Sequence, residues 1–428
     1  MARVVDEVDN STSSAASTAI LIPPPQEQPL ELSDINHIPA PALSSFQTHF
    51  PPSVLNFPTP TFATSALGTT AIYSLPPQAP YAGTTIPSSS INARRVLLIH
   101  GVNTPAVGSV LPLARAIQLQ VPSTHIVMYD LWGHGLSSTP LVAHTPEMFG
   151  MQIESVLQHV GWCSTSTPGP AATASSPSEP NKIDIIGYSL GCTLLAQLLT
   201  TPQPTHPSLT PTAINTITLI APSGLLPPSW FPLSLETAIQ PPSPTLSPTT
   251  AQTHEARAQH AALAWLEGPN YLEEAQAADH NPTIWTTDHL AAKDWTARLA
   301  KAMKHWEVVH HTGYPASVLS IVRHAGIRDQ EGAFRGVAAL GRRGVPGQKG
   351  LGGRGGGGDK VRVQAILGGL DDVVSEAKMR KCGFGVADAA GNVMVPLVVV
   401  AGADHGLPRD RREWIERVAE EIVGFWGS

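Results

Sequence analysis

The chain has 428 residues, of which 42% are hydrophobic and 14% are charged, so it is long and apolar enough to bury a sizeable core. The formal net charge of −7 and the lack of a long basic run argue against nucleic-acid binding, which needs a positively charged face. Three cysteines are too few, and odd in number, for a disulfide framework, which favours a reducing compartment.

The beginning of the chain shows no sign of regular structure. Residues 1–55 are rich in Pro, Ser and Thr, lack helical or strand periodicity, and are predicted to form a disordered arm. The first residues, MARVVDEVDN, are acidic and lack the long apolar core of a secretory signal, and no apolar run has the length of a membrane span. We therefore expect a cytoplasmic protein without a transmembrane segment.

Short apolar runs rich in β-branched residues recur along the rest of the chain. After a strand or hairpin expected at 62–75, the runs are RVLLIH (95–100), HIVMYD (125–130), IDIIGYS (183–189), INTITLIAPSG (214–224), VRVQAILGG (361–369) and VPLVVVAGADH (395–405). Segments with helical periodicity lie between most of them. This alternation predicts an α/β fold with a mostly parallel, doubly wound sheet.

Three stretches interrupt the alternation. Residues 164–181 have almost no apolar bulk and are expected to be a surface insertion, and residues 344–360 are a glycine-rich linker without the residue order of a phosphate-binding loop. Residues 225–315 combine a Pro-rich stretch with helical segments and are predicted to form an inserted helical cap. Residues 56–224 and 316–428 are then the two parts of the core.

The sequence GYSLG places Ser189 between two glycines, directly after a predicted strand and directly before a predicted helix. A nucleophilic serine needs exposure, a base and an oxyanion site. The strand–turn–helix setting is that of the nucleophile elbow, in which the serine backbone is usually strained. An ordinary turn of small residues would also produce the motif, but its setting favours the nucleophile.

Two backbone amides are candidates for the oxyanion site. The N–H of Leu190 lies at the start of the helix after the serine, where unsatisfied donors face an anion. The His-Gly pair at 100–101 ends the first of the six runs and allows the N–H of Val102 to point toward the serine. Together these amides would make a two-donor oxyanion hole.

An acid and a base follow in matching places. His405 comes after the last predicted strand, and two adjacent acids, Asp371 and Asp372, come after the strand before it. An acid at a strand end can reach across to orient an imidazole. The chain order serine, acid, histidine is one of the known triad orders, and the residues alone leave the choice between the two aspartates open.

Taken together, these motifs resemble the α/β-hydrolase fold proteins of the capped esterase and lipase type. The matching segments cover residues 95–428 apart from the cap and the insertions: LLIHG, YDLWGHGLSS, IIGYSLGC, LIAPSG, ILGGLDDVV and VVAGADHGLP. The resemblance implies a serine hydrolase that cleaves a carboxylic ester with Ser189, Asp371 and His405. It selects Asp371 through the family pattern Gly-x-x-Asp-x-Val-Val. It also implies a small-molecule ester or lipid-like substrate, and neither a cofactor nor a metal.

Other functions remain open. The same side chains would serve a peptidase, a thioesterase or a C–C bond hydrolase, and the same fold would serve as a non-catalytic binding scaffold. An intact set of serine, acid, histidine and oxyanion positions argues against the scaffold. Epoxide hydrolases and dehalogenases of the family that this chain resembles carry an aspartate where this chain has Ser189. This difference argues against those two activities. Neither the substrate nor the oligomeric state follows from the sequence.

The adjacent histidines His310 and His311 raise the question of a metal site. Neighbouring residues on a helix point in different directions, and no carboxylate lies four residues before or after His310 in the chain. We therefore expect both rings to take part in packing.

Overall fold

The computed structural model describes residues 36–78, 93–163, 182–201, 206–283, 285–343, 361–389 and 391–427. Two predicted segments, the surface insertion at 164–181 and the glycine-rich linker at 344–360, lie outside the described residues. The first 35 residues of the expected arm lie outside them as well.

An eight-stranded sheet runs through the described part of the chain, with the strand order β10-β9-β8-β7-β4-β5-β3-β2. Six of its strands are parallel, and β3 and β2 add an antiparallel hairpin at one edge. The strands are β2 (Thr61–Ser65), β3 (Gly68–Leu75), β4 (Arg95–Ile99), β5 (His125–Tyr129), β7 (Ile183–Tyr188), β8 (Ile214–Ile220), β9 (Arg362–Gly368) and β10 (Leu397–Val400). Each of the six apolar runs contains one parallel strand, which confirms the predicted fold class. Two further short strands, β1 (His37–Ile38) and β6 (Thr139–Pro140), pair with each other.

The central strands are apolar throughout because both faces of the sheet are covered. In β4, Leu97 and Ile99 belong to one hydrophobic core, whereas Val96 and Leu98 belong to a second core on the opposite face. Successive side chains of a strand point to opposite faces, so a strand buried on both sides reads as a continuous apolar run.

Helices occupy most of the remaining described chain. They are α1 (Leu43–His49), α2 (Pro52–Leu55), α3 (Ala106–Ser109), α4 (Leu111–Gln120), α5 (Pro146–His159), α6 (Leu190–Thr200), α7 (Leu233–Ala238), α8 (Pro248–Glu267), α9 (Tyr271–His280), α10 (Thr287–Ala291), α11 (Trp295–His310), α12 (Tyr314–His324), α13 (Glu331–Arg343), α14 (Glu376–Lys381) and α15 (Arg412–Gly427). None of the helices in this part of the chain combines the length and apolar character that crossing a bilayer would require.

Seven helices, α7 to α13, separate β8 from β9. The predicted cap at 225–315 spans α7 to α11. Beyond it, α12 packs against α8, and α13 packs against α6 and β9. The position of the boundary between cap and core near residue 315 stays a prediction.

Part of the expected arm is ordered. Residues 36–55 form β1, α1 and α2, and the side chains of Phe46, Phe50 and Leu55 are buried. The ring of Phe46 meets the edge of Trp306 in α11 at a centroid distance of 5.1 Å. The expectation of disorder therefore does not hold for residues 36–55. Helices this short have no detectable periodicity and are stabilised by tertiary packing, which the local sequence does not reveal.

Candidate active site

Ser189 occupies the sharp turn between β7 and α6. Its backbone has φ 51° and ψ −112°, a conformation that residues with a side chain rarely adopt. The Ser189 N–H donates to the carbonyl of Ile220 at 3.0 Å, and the Ser189 carbonyl accepts from the amides of Cys192 at 3.0 Å and Ser223 at 3.2 Å. These three bonds hold the strained turn, which is the local geometry of a nucleophile elbow.

The helix after the turn lies very close to β4. A Cβ atom at Gly191 would come within 2.4 Å of the carbonyl oxygen of Ile99, so only glycine fits there. This contact brings the end of β4, and the loop after it, next to Ser189.

The structure brings together three of the side chains singled out in the sequence. The Nε2 atom of His405 lies 2.9 Å from the Oγ atom of Ser189. The Nδ1 atom of the same ring lies 3.2 Å and 3.1 Å from the two carboxylate oxygens of Asp371. Because a carboxylate accepts, Nδ1 carries the proton, and the lone pair of Nε2 faces the serine hydroxyl.

The loop after β9 places Asp371, and not Asp372, beside His405. Asp371 Oδ1 also accepts from the amides of Val373 at 2.9 Å and Val374 at 3.1 Å, and its side chain is fully buried. Asp372 is exposed. The two amides fix the direction of the Asp371 carboxylate.

The two amides predicted for the oxyanion site belong to backbone segments next to Ser189. A Cβ atom at Gly101 would come within 2.8 Å of the Ser189 Cβ, so the loop that carries Val102 runs directly against the serine. Leu190 is the first residue of α6. Within the described residues, neither the Val102 amide nor the Leu190 amide donates to a protein acceptor, so both are available to a ligand.

Comparison with known proteins supports the fold. No family model and no curated protein matches the chain. Among solved structures, a membrane phospholipase A described as a bacterial virulence factor matches 90% of both chains, with a TM-score of 0.50 and 13% identity. An esterase from Thermogutta terrifontis matches 86% of this chain and 98% of its own, with a TM-score of 0.48 and 14% identity. MGS-M2, an α/β-hydrolase enzyme from a Medee basin deep-sea metagenome library, has the same coverage, with a TM-score of 0.47 and 12% identity.

The phospholipase match extends over 90% of the chain, and the chain itself has a mostly parallel eight-stranded sheet. The chain has the α/β-hydrolase fold. In this fold the nucleophile stands between a strand and a helix, and the acid and the histidine follow it in the chain.

The loop between β4 and α3 is tied to the α/β-hydrolase sheet by His100. Its Nδ1 donates to the carbonyl of Gly101 at 2.6 Å, and its Nε2 accepts from the amide of Leu131 at 2.8 Å. Burial lowers the pKa of His100 to about 4, so the ring is neutral, as this pattern of donor and acceptor requires. His100 therefore bonds both within its own loop and to the turn after β5.

Asp130 organises the turn that follows β5. Its carboxylate accepts from the Tyr73 hydroxyl at 2.8 Å, the Ala106 amide at 2.8 Å and the Leu136 amide at 2.9 Å. Burial raises its pKa to about 6, although these donors act in the opposite direction. The amide of Ala106 starts α3, so this acid fixes the helix that follows the Val102 loop.

A polar layer behind His405 was not anticipated from the sequence. The Tyr188 hydroxyl donates to the His405 carbonyl at 3.1 Å, and Arg409 donates to Asp410 at 3.0 Å and to the Thr104 hydroxyl at 3.0 Å. These bonds join the His405 loop to β7 and to the loop after β4. Tyr188 is the variable position of the serine motif, and only its place in the fold reveals this contact.

Two buried glutamates connect the helices between β8 and β9 to the rest of the fold. Glu307 in α11 accepts from the Gly135 amide at 2.6 Å, and burial raises its pKa well above the usual value. Glu267 at the end of α8 forms an ion pair with Lys304 of α11. Burial also raises the pKa of Glu267. The positive charge of Lys304 acts in the opposite direction, but its effect is smaller than that of burial.

Proposed function

We propose that this protein is a serine hydrolase that cleaves carboxylic esters. The observation that carries the proposal is the continuous chain of hydrogen bonds from Ser189 through His405 to Asp371. It starts on a strained turn, as in a nucleophile elbow, and its distances of 2.9 to 3.2 Å need no rearrangement for proton transfer.

The first half of the reaction forms an acyl-enzyme. Ser189 Oγ attacks the ester carbonyl carbon as its proton moves to Nε2 of His405, and the carbonyl oxygen becomes an oxyanion. The amides of Val102 and Leu190 donate to that oxyanion. The intermediate collapses, the bond to the alkoxide breaks, and the proton on Nε2 moves to the leaving alcohol.

The second half releases the acid. A water molecule gives a proton to Nε2 of His405 and attacks the acyl carbon, and the bond to Ser189 Oγ then breaks as that oxygen regains the proton. Asp371 keeps the imidazole in the tautomer that each transfer needs and stabilises the imidazolium. Every proton in the cycle is carried by groups of this chain, by substrate or by water.

We propose that the substrate is a small-molecule or lipid-like ester. We also propose that residues 225–315 form a cap over the site. The solved structure that matches 90% of this chain is named as a phospholipase A, which supports an ester of this kind. Two contacts support the cap. Glu307 joins α11 to the turn after β5, and Glu267 joins α8 to α11.

Labelling with a fluorophosphonate and hydrolysis of p-nitrophenyl esters of increasing chain length test the proposal. The unaltered chain should label at Ser189 and hydrolyse one of the esters, and Ser189→Ala should lose both, with a rate decrease of roughly 10⁴-fold or more. Ser109→Ala is the matched control, because this serine is buried and its hydroxyl has no partner among the described residues.

The other candidate functions give different results in the same assays. A non-catalytic scaffold would neither label nor hydrolyse any ester. A peptidase, thioesterase or C–C bond hydrolase would label at Ser189 but favour an amide, a thioester or a diketone over the esters. Near-normal ester turnover by Ser189→Ala would refute the assignment of the nucleophile.

A further inference from the structure

Three potential metal ligands from three helices meet away from Ser189. They are His49 at the end of α1, Asp279 in α9 and His310 at the end of α11. Asp279 Oδ1 lies 3.2 Å from Nε2 of His49 and 2.6 Å from Nε2 of His310. All three ligand atoms lie within 4.8 Å of one another, so one ion could reach all of them.

The protonation of His49 can be deduced from its other nitrogen. Nδ1 lies 3.0 Å from the carbonyl oxygen of Ser45, which can only accept, so Nδ1 carries a proton. In the neutral ring, Nε2 then presents a lone pair to Asp279 Oδ1, which is also an acceptor. Two acceptors at 3.2 Å repel each other unless a cation lies between them, either a second proton on the ring or a metal ion.

We propose that His49, Asp279 and His310 bind a Zn²⁺ ion. Two imidazole nitrogens and one carboxylate oxygen are ligands that Zn²⁺ prefers, and three protein ligands plus water complete a tetrahedron. A hydrogen bond from Nδ1 to a backbone carbonyl, as His49 makes, is the usual support of a zinc-bound histidine. With zinc–ligand distances of about 2 Å, the ligand atoms would lie about 3.3 Å apart, so Nε2 of His310 would move outward from its present 2.6 Å to Asp279 Oδ1.

The surroundings leave room for a water ligand beside two of the three side chains. A cavity of about 40 Å³ is lined by His49, Asp279 and Trp306, among others, which is more than a water molecule needs. The side chains of His49, Asp279 and His310 are 21%, 28% and 25% exposed, so the site is open to solvent and partly desolvated.

The carboxylate partner of His310 explains why local sequence patterns did not reveal this site. The expectation of simple packing rested on the lack of an acid four residues from His310, but the acid beside this ring, Asp279, comes from α9. His311 points elsewhere, and its Nε2 lies 2.9 Å from the carbonyl oxygen of Ser137. The adjacent histidines therefore do point in different directions, and only one of them joins the cluster.

The experiment measures Zn²⁺ and Co²⁺ binding to the full chain after treatment with a chelator and dialysis. One equivalent of Zn²⁺ should bind and raise the melting temperature, and Co²⁺ should give the visible absorption of a tetrahedral site. Asp279→Asn and His310→Gln should each weaken Zn²⁺ binding by about 100-fold or more. His280→Gln is the control, because this exposed ring lies next to Asp279 but bonds to the Gln276 carbonyl.

A further variant separates loss of a ligand from loss of folding. Cysteine also binds zinc, so His310→Cys should retain the ion and add a sulfur-to-cobalt charge-transfer band. Binding that persists in Asp279→Asn and His310→Gln would overturn the proposal. So would a chain that binds no stoichiometric Zn²⁺, and the cluster would then be a His–Asp ion pair with a proton in place of the metal.

Discussion

The backbone of Ser189 has a positive φ that a residue with a side chain adopts only under constraint. The constraint comes from the amides of Cys192 and Ser223 and from the carbonyl of Ile220, which hold the turn from both sides. Conformations of this kind cost on the order of 1–3 kcal/mol and occur at functional sites. Ser189 is therefore expected to be a local source of instability.

A comparison of two inactive variants measures this strain. Ser189→Gly and Ser189→Ala both remove the hydroxyl, but glycine accepts a positive φ without a steric penalty. We expect Ser189→Gly to be more stable than Ser189→Ala by about 1 kcal/mol in urea unfolding, despite the greater entropy of glycine in the unfolded chain. Equal or reversed stabilities would mean that the turn stores no strain.

The two adjacent aspartates give a second prediction at this scale. Asp371→Asn should lower kcat by about 10⁴-fold, because the amide favours the wrong imidazole tautomer. Asp372→Asn should remain within about twofold of the unaltered chain, because Asp372 is exposed and makes no contact with His405. Steady-state kinetics of the two variants test this prediction. A large decrease in kcat for Asp372→Asn would contradict the geometry.

Among the elements, those with strong local signals are the ones that the sequence predicts. The parallel strands are continuous apolar runs, and the GYSLG motif lies in its strand–turn–helix setting, so the sheet and Ser189 follow from local patterns. The short helix α1 and the contact of His49 with Asp279 depend on residues more than two hundred positions away. Local periodicity contains no information about such contacts.

Deletion of the N-terminal segment should show that α1 and α2 stabilise the folded chain. Removing residues 1–55 should lower the free energy of unfolding by about 5 kcal/mol relative to removing residues 1–35, because Phe46, Phe50 and Leu55 lose their burial. This expectation replaces that of a disordered arm for residues 36–55. Unfolding by urea with intrinsic fluorescence is the measurement.

A point substitution controls for the length of the deletion. Phe46→Ala should cost about 3–5 kcal/mol, since the side chain packs against Trp306. Leu119→Ala should have almost no effect, because Leu119 is 76% exposed. A negligible effect of Phe46→Ala would show that α1 does not support the fold.

The molecule as a whole buries several histidines without charge. Burial lowers the pKa of His100, His144 and His311 to about 4 from 6.5. The unfolded chain binds protons on these rings at a higher pH than the folded chain does, so their contribution to stability is lost as the pH falls from about 6.5 to about 4. Asp130 acts in the opposite direction, because its pKa is raised to about 6 and its contribution is lost as the pH rises through that value.

Replacing one buried histidine should weaken the acid dependence of stability. In His144→Gln, the decrease in the free energy of unfolding between pH 6.5 and pH 4 should be smaller by up to about 3 kcal/mol. His159→Gln, at an exposed ring on α5, should leave the dependence unchanged. Urea titrations at a series of pH values provide the test, and parallel curves for the unaltered chain and His144→Gln would contradict it.

The seven helices between β8 and β9 also affect how the protein is made. β8 pairs with β9 from Thr216 to Ile220, yet about 140 residues separate the two strands in the chain. At roughly 5–20 residues per second on the ribosome, the free edge of β8 waits about 7 to 28 seconds for its partner. During that time an apolar strand edge is open to neighbouring nascent chains. Synthesis of this protein therefore passes through a period in which a chaperone has a defined surface to protect.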